Sequence, residues 1–216
     1  MDGVVLLHGI FRTHRSMRGL AQFLEEQGYR TLNLGYPSTR YSLEELVEII
    51  HPVIERFAKT MDGDLHFIGY SMGGLLVRAY LHKYRPAFLG RVVLIGTPNS
   101  GSEVADFLKD FYLYKKLYGP AGQQLITDQT MLKPIMGEIT YEAGAIAANR
   151  SIDPISSYII GEPNDGKVSV KSTWLPQLKD HTVVATNHTF LPMHKPMWAQ
   201  TLNFLQNGRF TRLCTS

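Results

Sequence analysis

A chain of 216 residues, 44% of them hydrophobic and 19% charged, has the balance of an ordinary soluble globular protein, and one domain accounts for it. The formal net charge is +3 with no run of five or six basic residues, which argues against nucleic acid as a partner, and no apolar stretch approaches a membrane span. The lone cysteine, Cys214, excludes an internal disulfide framework. The start Met1-Asp2-Gly3 shows neither a basic segment nor a small-residue cleavage site, so no signal peptide and a cytoplasmic location are expected.

Val4 to Leu7, bounded by Gly3 and His8-Gly9, is a continuous apolar run of the kind that forms a strand buried on both faces of a parallel sheet. Just after it, Arg12, His14, Arg15 and Arg18 make the densest basic cluster of the chain. A solvated helix start is the plainer reading of that cluster, and steering of an anionic substrate the sharper one. Met17, Leu20, Ala21 and Leu24 then recur at helical spacing, and Gly28 is well placed to end the helix. Thr31 to Leu34 reads as a second strand.

Ser42 and Glu45 have capping-box spacing, and Leu43, Leu46, Val47, Ile50, Val53, Ile54 and Phe57 follow on one helical face, with Pro52 predicting a kink near Glu48. Leu65 to Ile68 and Val92 to Ile95 make the next strands, with a helix between them whose inner face is Leu75, Leu76, Ala79 and Tyr80. Tyr158 to Ile160 and Thr182 to Ala185 read as two further strands. Trp198, Thr201, Leu202 and Leu205 give the last helix its inner face. The alternation predicts an α/β fold with a mostly parallel sheet of about six strands, covered on both sides. Between Ser102 and Asp153 no strand is convincing, and we read an inserted helical cap at about 103–153 over the active edge of the sheet. Its stripe of Val104, Phe107, Leu108, Phe111 and Tyr112 is of the kind that more often packs a core. At this place it would wall a substrate pocket, with Phe11, Phe107 and Phe111 as expected pocket residues.

Gly69-Tyr70-Ser71-Met72-Gly73 matches G-x-S-x-G, a pattern that chance supplies in roughly one chain in fifteen of this length, so its setting decides. An apolar strand runs into it and an amphipathic helix leaves it, which puts Ser71 on a strand-to-helix turn where side chains at Gly69 or Gly73 would collide with adjoining elements. A serine hydroxyl needs a base to take its proton and a third group to orient that base. Asp165, in the turn-rich stretch Gly161 to Gly166, follows the expected Tyr158 to Ile160 strand. Asp153 and Asp180 precede strands and are read as loop or capping residues. Among the late histidines, His181 begins a strand, His194 stands beside the last helix, and His188 follows the last strand on a short loop, so His188 is the preferred base. Backbone N–H groups of Met72 and Ile10 are the expected donors to a developing oxyanion.

With these residues in place the sequence resembles the bacterial lipase and esterase branch of the α/β-hydrolase superfamily, and also the GPI-inositol deacylase-like hydrolases. Val4-Val5-Leu6-Leu7-His8-Gly9-Ile10 is similar to that branch's oxyanion strand and loop, and Gly69 to Gly74 to its nucleophile elbow. Gly96-Thr97-Pro98 with Gly101-Ser102 is similar to the segment before its cap, and Asn164-Asp165-Gly166 and Asn187-His188 stand where its acid and base belong. The resemblance implies hydrolysis of a small-molecule acyl ester through an acyl-enzyme, with no organic cofactor and no catalytic metal. A thioesterase or acyltransferase would use the same triad. A noncatalytic binding protein on this scaffold would be expected to show a broken one.

Overall fold

The computed structural model describes residues 1–101, 120–121, 124 and 134–212. Six strands form one sheet in the order β2-β1-β3-β4-β5-β6, with every neighbouring pair parallel. They are β1 (Gly3–Leu7), β2 (Arg30–Leu34), β3 (Leu65–Tyr70), β4 (Leu89–Ile95), β5 (Ala143–Ala148) and β6 (Asp180–Val184). Among the described residues the helices include α1 (Arg18–Glu26), α2 (Leu43–Ala58), α3 (Met72–Lys83), α4 (Pro154–Ile160), α5 (Val170–Thr173) and α6 (Lys195–Asn207), and a 3-10 turn at His14–Met17 leads into α1.

The continuous apolar runs serve two cores, because successive side chains of a strand point to opposite faces. Val5 and Leu7 of β1, Phe67 of β3, and Val92 and Leu94 of β4 pack with α2 and α3 on one face. Val4, Leu6, Ile68, Val93 and Ile95 pack with α1 and α6 on the other. The chain steps from β1 outward to β2 and then back across β1 to β3, so the strand order reverses beside the carboxyl ends of β1 and β3. Open α/β sheets bind ligands at such a reversal.

Local signals hold where they are strong. Ser42 and Glu45 close a reciprocal capping box at α2, the helix continues through Pro52, and Gly28 leaves α1 at φ 89°. Three readings are corrected. Tyr158 to Ile160 is not a strand but the end of α4, which Asp153 caps by accepting from the Ser156 N–H and which stops at left-handed Gly161. The strand that pairs β4 with β6 is β5, inside the range read as cap. Its alanine-rich sequence stays thin because the Phe204 ring of α6 fills the place that a side chain at Gly144 would take. Asp153 therefore follows a strand and lies at the same edge as Asp165, contrary to the expectation. Asp180 and His181 do begin β6, at the opposite edge.

Candidate active site

Ser71 sits between β3 and α3 with φ 55° and ψ −127°, a conformation that costs a non-glycine residue about 1–3 kcal/mol. Its surroundings hold it there. The Ser71 N–H donates to the Ile95 carbonyl at 2.7 Å and the Gly74 N–H to the Ser71 carbonyl at 2.9 Å. A Cβ at Gly69 would run into the backbone of Gly74, and one at Gly73 into the carbonyls of Leu7 and His8, so only glycine lets the turn nest against β1.

Asp165 and His188 come to this serine from loops after β5 and β6. The His188 Nδ1–H donates to Asp165 Oδ2 at 2.7 Å, which leaves Nε2 as the acceptor for the Ser71 hydroxyl at 3.0 Å. The Asp165 carboxylate is buried and fully engaged, since its other oxygen accepts from the Lys167 N–H at 2.9 Å and the Val168 N–H at 2.8 Å. A backbone bond from the His188 N–H to the Asp165 carbonyl, 3.0 Å, fixes the two loops to each other. The competing residues take other parts. Asp153 caps α4 and pairs with Lys167 at 2.8 Å, an interaction that holds its carboxyl well below the usual range. His194 precedes α6, and His181 meets Thr173 Oγ1 at 2.8 Å.

The loop after β1 faces Ser71 across Gly9. A Cβ at Gly9 would lie 3.1 Å from the Ser71 Cβ, so the backbone approaches Ser71 more closely than a side chain at Gly9 would comfortably allow. The next residue, Ile10, has an N–H with no acceptor among the described residues, and Met72 heads α3, where helix N–H groups lack intrahelical partners. Phe11 follows in a left-handed conformation, φ 57°, with half its surface exposed. Phe107 and Phe111 lie outside the described residues.

Three supports escaped the sequence. Tyr70 is the variable residue of its motif, yet its hydroxyl donates to the His188 carbonyl at 2.7 Å. His8 is fully buried and stacks on Tyr36 at 4.1 Å. Its Nδ1–H donates to the Gly9 carbonyl at 2.8 Å and its Nε2 accepts from the Tyr36 N–H at 3.4 Å, so the ring is neutral, as the burial that lowers its pKa also favours. Arg78, two turns into α3, binds Asn99 Oδ1 at 3.2 Å and the Gly137 carbonyl at 3.4 Å. It thereby ties α3 to the chain on both sides of the 102–133 stretch, although burial depresses its pKa. Only the pairing of Arg78 with a polar residue after β4 could have pointed to this, and spacing does not reveal it.

A cavity of about 340 Å³ adjoins Asp165 and His188, lined also by Ile152, Asp153, Lys167 and Asn187. Large apolar side chains stand exposed on the same edge, among them Phe11, Ile155, Tyr158, Phe190 and Met193.

A parallel sheet with a strained serine at its reversal, met by a histidine and a buried carboxylate, defines an α/β hydrolase. The family model described as "alpha/beta hydrolase fold" matches residues 3–120, and the chain belongs to that family. Among curated proteins it is 25% identical to the human lysosomal thioesterase PPT2 over 195 residues, covering 77% of this chain and 64% of the relative. It is 31% identical to a triacylglycerol lipase of Pseudarthrobacter phenanthrenivorans over 116 residues, 50% of this chain and 36% of that lipase. The chain thus matches less than two thirds of either relative's length. The fold is shared with the mature Bacillus licheniformis lipase BlEst2, at TM-score 0.76 and 18% identity over 95% of this chain and 91% of that one. It is shared also with the metagenomic carboxyl esterase MGS0156, at TM-score 0.69 and 19% identity over 87% and 64%.

Proposed function

We propose that the protein hydrolyses carboxylic esters through an acyl-enzyme. Ser71 attacks the carbonyl as His188 Nε2 takes its proton. Asp165 holds the imidazole in the required tautomer and stabilises the imidazolium, and the Ile10 and Met72 N–H groups receive the oxyanion. His188 then returns the proton to the departing alcohol, and water repeats the sequence on the acyl-enzyme. The observation that carries this reading is the unbroken line from Asp165 through His188 to Ser71, with bonds of 2.7 and 3.0 Å. The exposed apolar side chains around it suit an acyl group, with Phe11 on the pocket wall and Phe107 and Phe111 assigned to that wall from sequence. The segment at about 103–142, up to the start of β5, is assigned as the cap of a single domain. A cytoplasmic location fits the lone cysteine, and no helix among the described residues is long and apolar enough to cross a membrane.

Similarity to a named thioesterase supports a second reading, in which the same triad cleaves a thioester. Intact-mass analysis after exposure to a fluorophosphonate, with Ser71→Ala as control, tests the nucleophile. A panel of 4-nitrophenyl esters and acyl thioesters separates the two readings. Absence of an adduct, or its persistence in Ser71→Ala, would sink the assignment.

A further inference from the structure

The loop that brings Ile10 to the nucleophile also brings a cation. The Arg12 N–H donates to the Gly9 carbonyl at 3.2 Å, closing a turn that keeps the two Cα atoms within about 7 Å of each other. Gly9 itself is packed against Ser71, so the base of the Arg12 side chain starts one turn away from the reacting serine. Arg12 is half-buried, yet its guanidinium has no carboxylate and no hydrogen-bond acceptor among the described residues.

Among the described residues, its surroundings hold little free negative charge for a reason written in the sequence. The carboxyl-edge loops after β1, β2, β4 and β6, residues 8–17, 35–42, 96–101 and 185–194, contain no aspartate or glutamate. The loop after β5 contains three, and each is occupied: Asp153 by Lys167, Glu162 by Lys171 at 3.3 Å, and Asp165 by His188. At the start of α2, Glu44 accepts from Gln124 at 2.8 Å and Glu45 closes the capping box. Arg15, Arg40 and Arg150 add to the positive side of the same edge. Arg12 acts inward as well: burial raises the pKa of the Tyr70 hydroxyl, and the Arg12 charge opposes that rise. The hydroxyl it influences is the one bonded to the His188 carbonyl.

A guanidinium presents a planar fork of donors that matches a carboxylate or phosphate, and such a pair gains strength where water is partly excluded. We propose that Arg12 is the anion-recognition residue of this site, and that the substrate is an ester bearing a carboxylate or phosphate on its acyl or its alcohol part. This rests on the reading of Ser71 as nucleophile and narrows its substrate class.

Two matched pairs of esters test it. Mono-(4-nitrophenyl) glutarate against 4-nitrophenyl pentanoate places the charge on the acyl side. 4-Carboxyphenyl butyrate against its methyl ester places it on the leaving side. The wild type should favour the charged member of at least one pair by about tenfold or more in kcat/KM at low salt, with the ratio falling as salt screens the pair. Arg12→Met should bring that ratio close to one, and Arg12→Lys, which keeps the charge but not the fork, should retain part of it. Calorimetry of the same esters on Ser71→Ala, with and without Arg12→Met, reads the preference without turnover. If no ester is cleaved yet Ser71→Ala binds the charged member preferentially through Arg12, the hydrolase reading fails and the anion site stands. If the wild type and the Ser71→Ala protein show no preference for charge in either pair, or if Arg12→Met keeps the preference, the proposal is overturned. Should Arg12→Met not fold, Arg12→Lys and the salt dependence decide.

Discussion

At the amino edge of the sheet, strand starts and the amino terminus are tied down by compensated charge, whereas at the carboxyl edge, among the described residues, the Arg12 charge meets no carboxylate beside a strained serine. Glu142, ahead of β5, holds Arg91 at 2.7 Å and also Lys179. Asp180 receives the Phe210 N–H at 2.7 Å and Arg212 at 3.2 Å, and the amino terminus pairs with Asp62. That edge also contains the larger cavity, about 580 Å³, yet its arginines and its buried His66 are bonded to their neighbours. The carboxyl edge has the smaller cavity but collects the φ 55° serine, the histidine and the Arg12 charge. Under the proposed function, backbone strain and open donors, rather than cavity volume, mark the end of the molecule that reacts.

The comparison breaks first at the triad. His188→Ala and Asp165→Asn should each lower kcat by several orders of magnitude, about 10⁴-fold by analogy with other triads, with the fold intact by circular dichroism. A His194→Ala or Asp153→Asn variant that proves more damaging in a folded protein would move the site. A smaller effect is expected for Asp153→Ala, which removes the α4 cap and should cost about 1 kcal/mol in urea melts while ester turnover persists.

Acid should weaken both edges alike. His66 at one edge and His8 at the other are buried with pKa values lowered chiefly by desolvation, and His181 likewise. Below the ordinary histidine value of about 6.5 the unfolded chain takes up protons that the folded protein refuses, so stability falls as pH drops through that window towards the depressed folded values. The paired carboxylates have pKa values lowered from an already lower range and stay ionised there. Tm should therefore be lower at pH 5 than at pH 7. A flat Tm across that range would show that these rings are protonated in the folded state. The smallest change is expected from Glu142→Gln: the side chain is half exposed, so losing its two ion pairs should shift stability by no more than about 1 kcal/mol and leave ester hydrolysis unaltered. A large loss of activity would mean that the two edges communicate.

Local chemistry written along the chain was legible from it. The elbow needs glycines on both sides of Ser71, the capping box needs Ser42 and Glu45, and β1 to β4 need apolar runs that stay buried on both faces, and each leaves its mark in consecutive residues. Both ends of α4 were legible too, its start in Asp153 and Pro154 and its stop in Gly161, but a short run of Tyr158 and two isoleucines outweighed those signals. What the tertiary structure decided depends on partners distant in sequence. β5 is a strand because β4 and β6 pair with it on either side and because Phe204 leaves room only for small side chains, whereas alanines alone favour a helix. The sequence proposed Asp165 and His188. Their bonding to each other and to Ser71 comes from the sheet, which delivers loops after β3, β5 and β6 to one edge. That Arg12 meets no carboxylate among the described residues is likewise a property of the edge, since only the assembled loops show that the acids after β5 are bound to Lys167, Lys171 and His188.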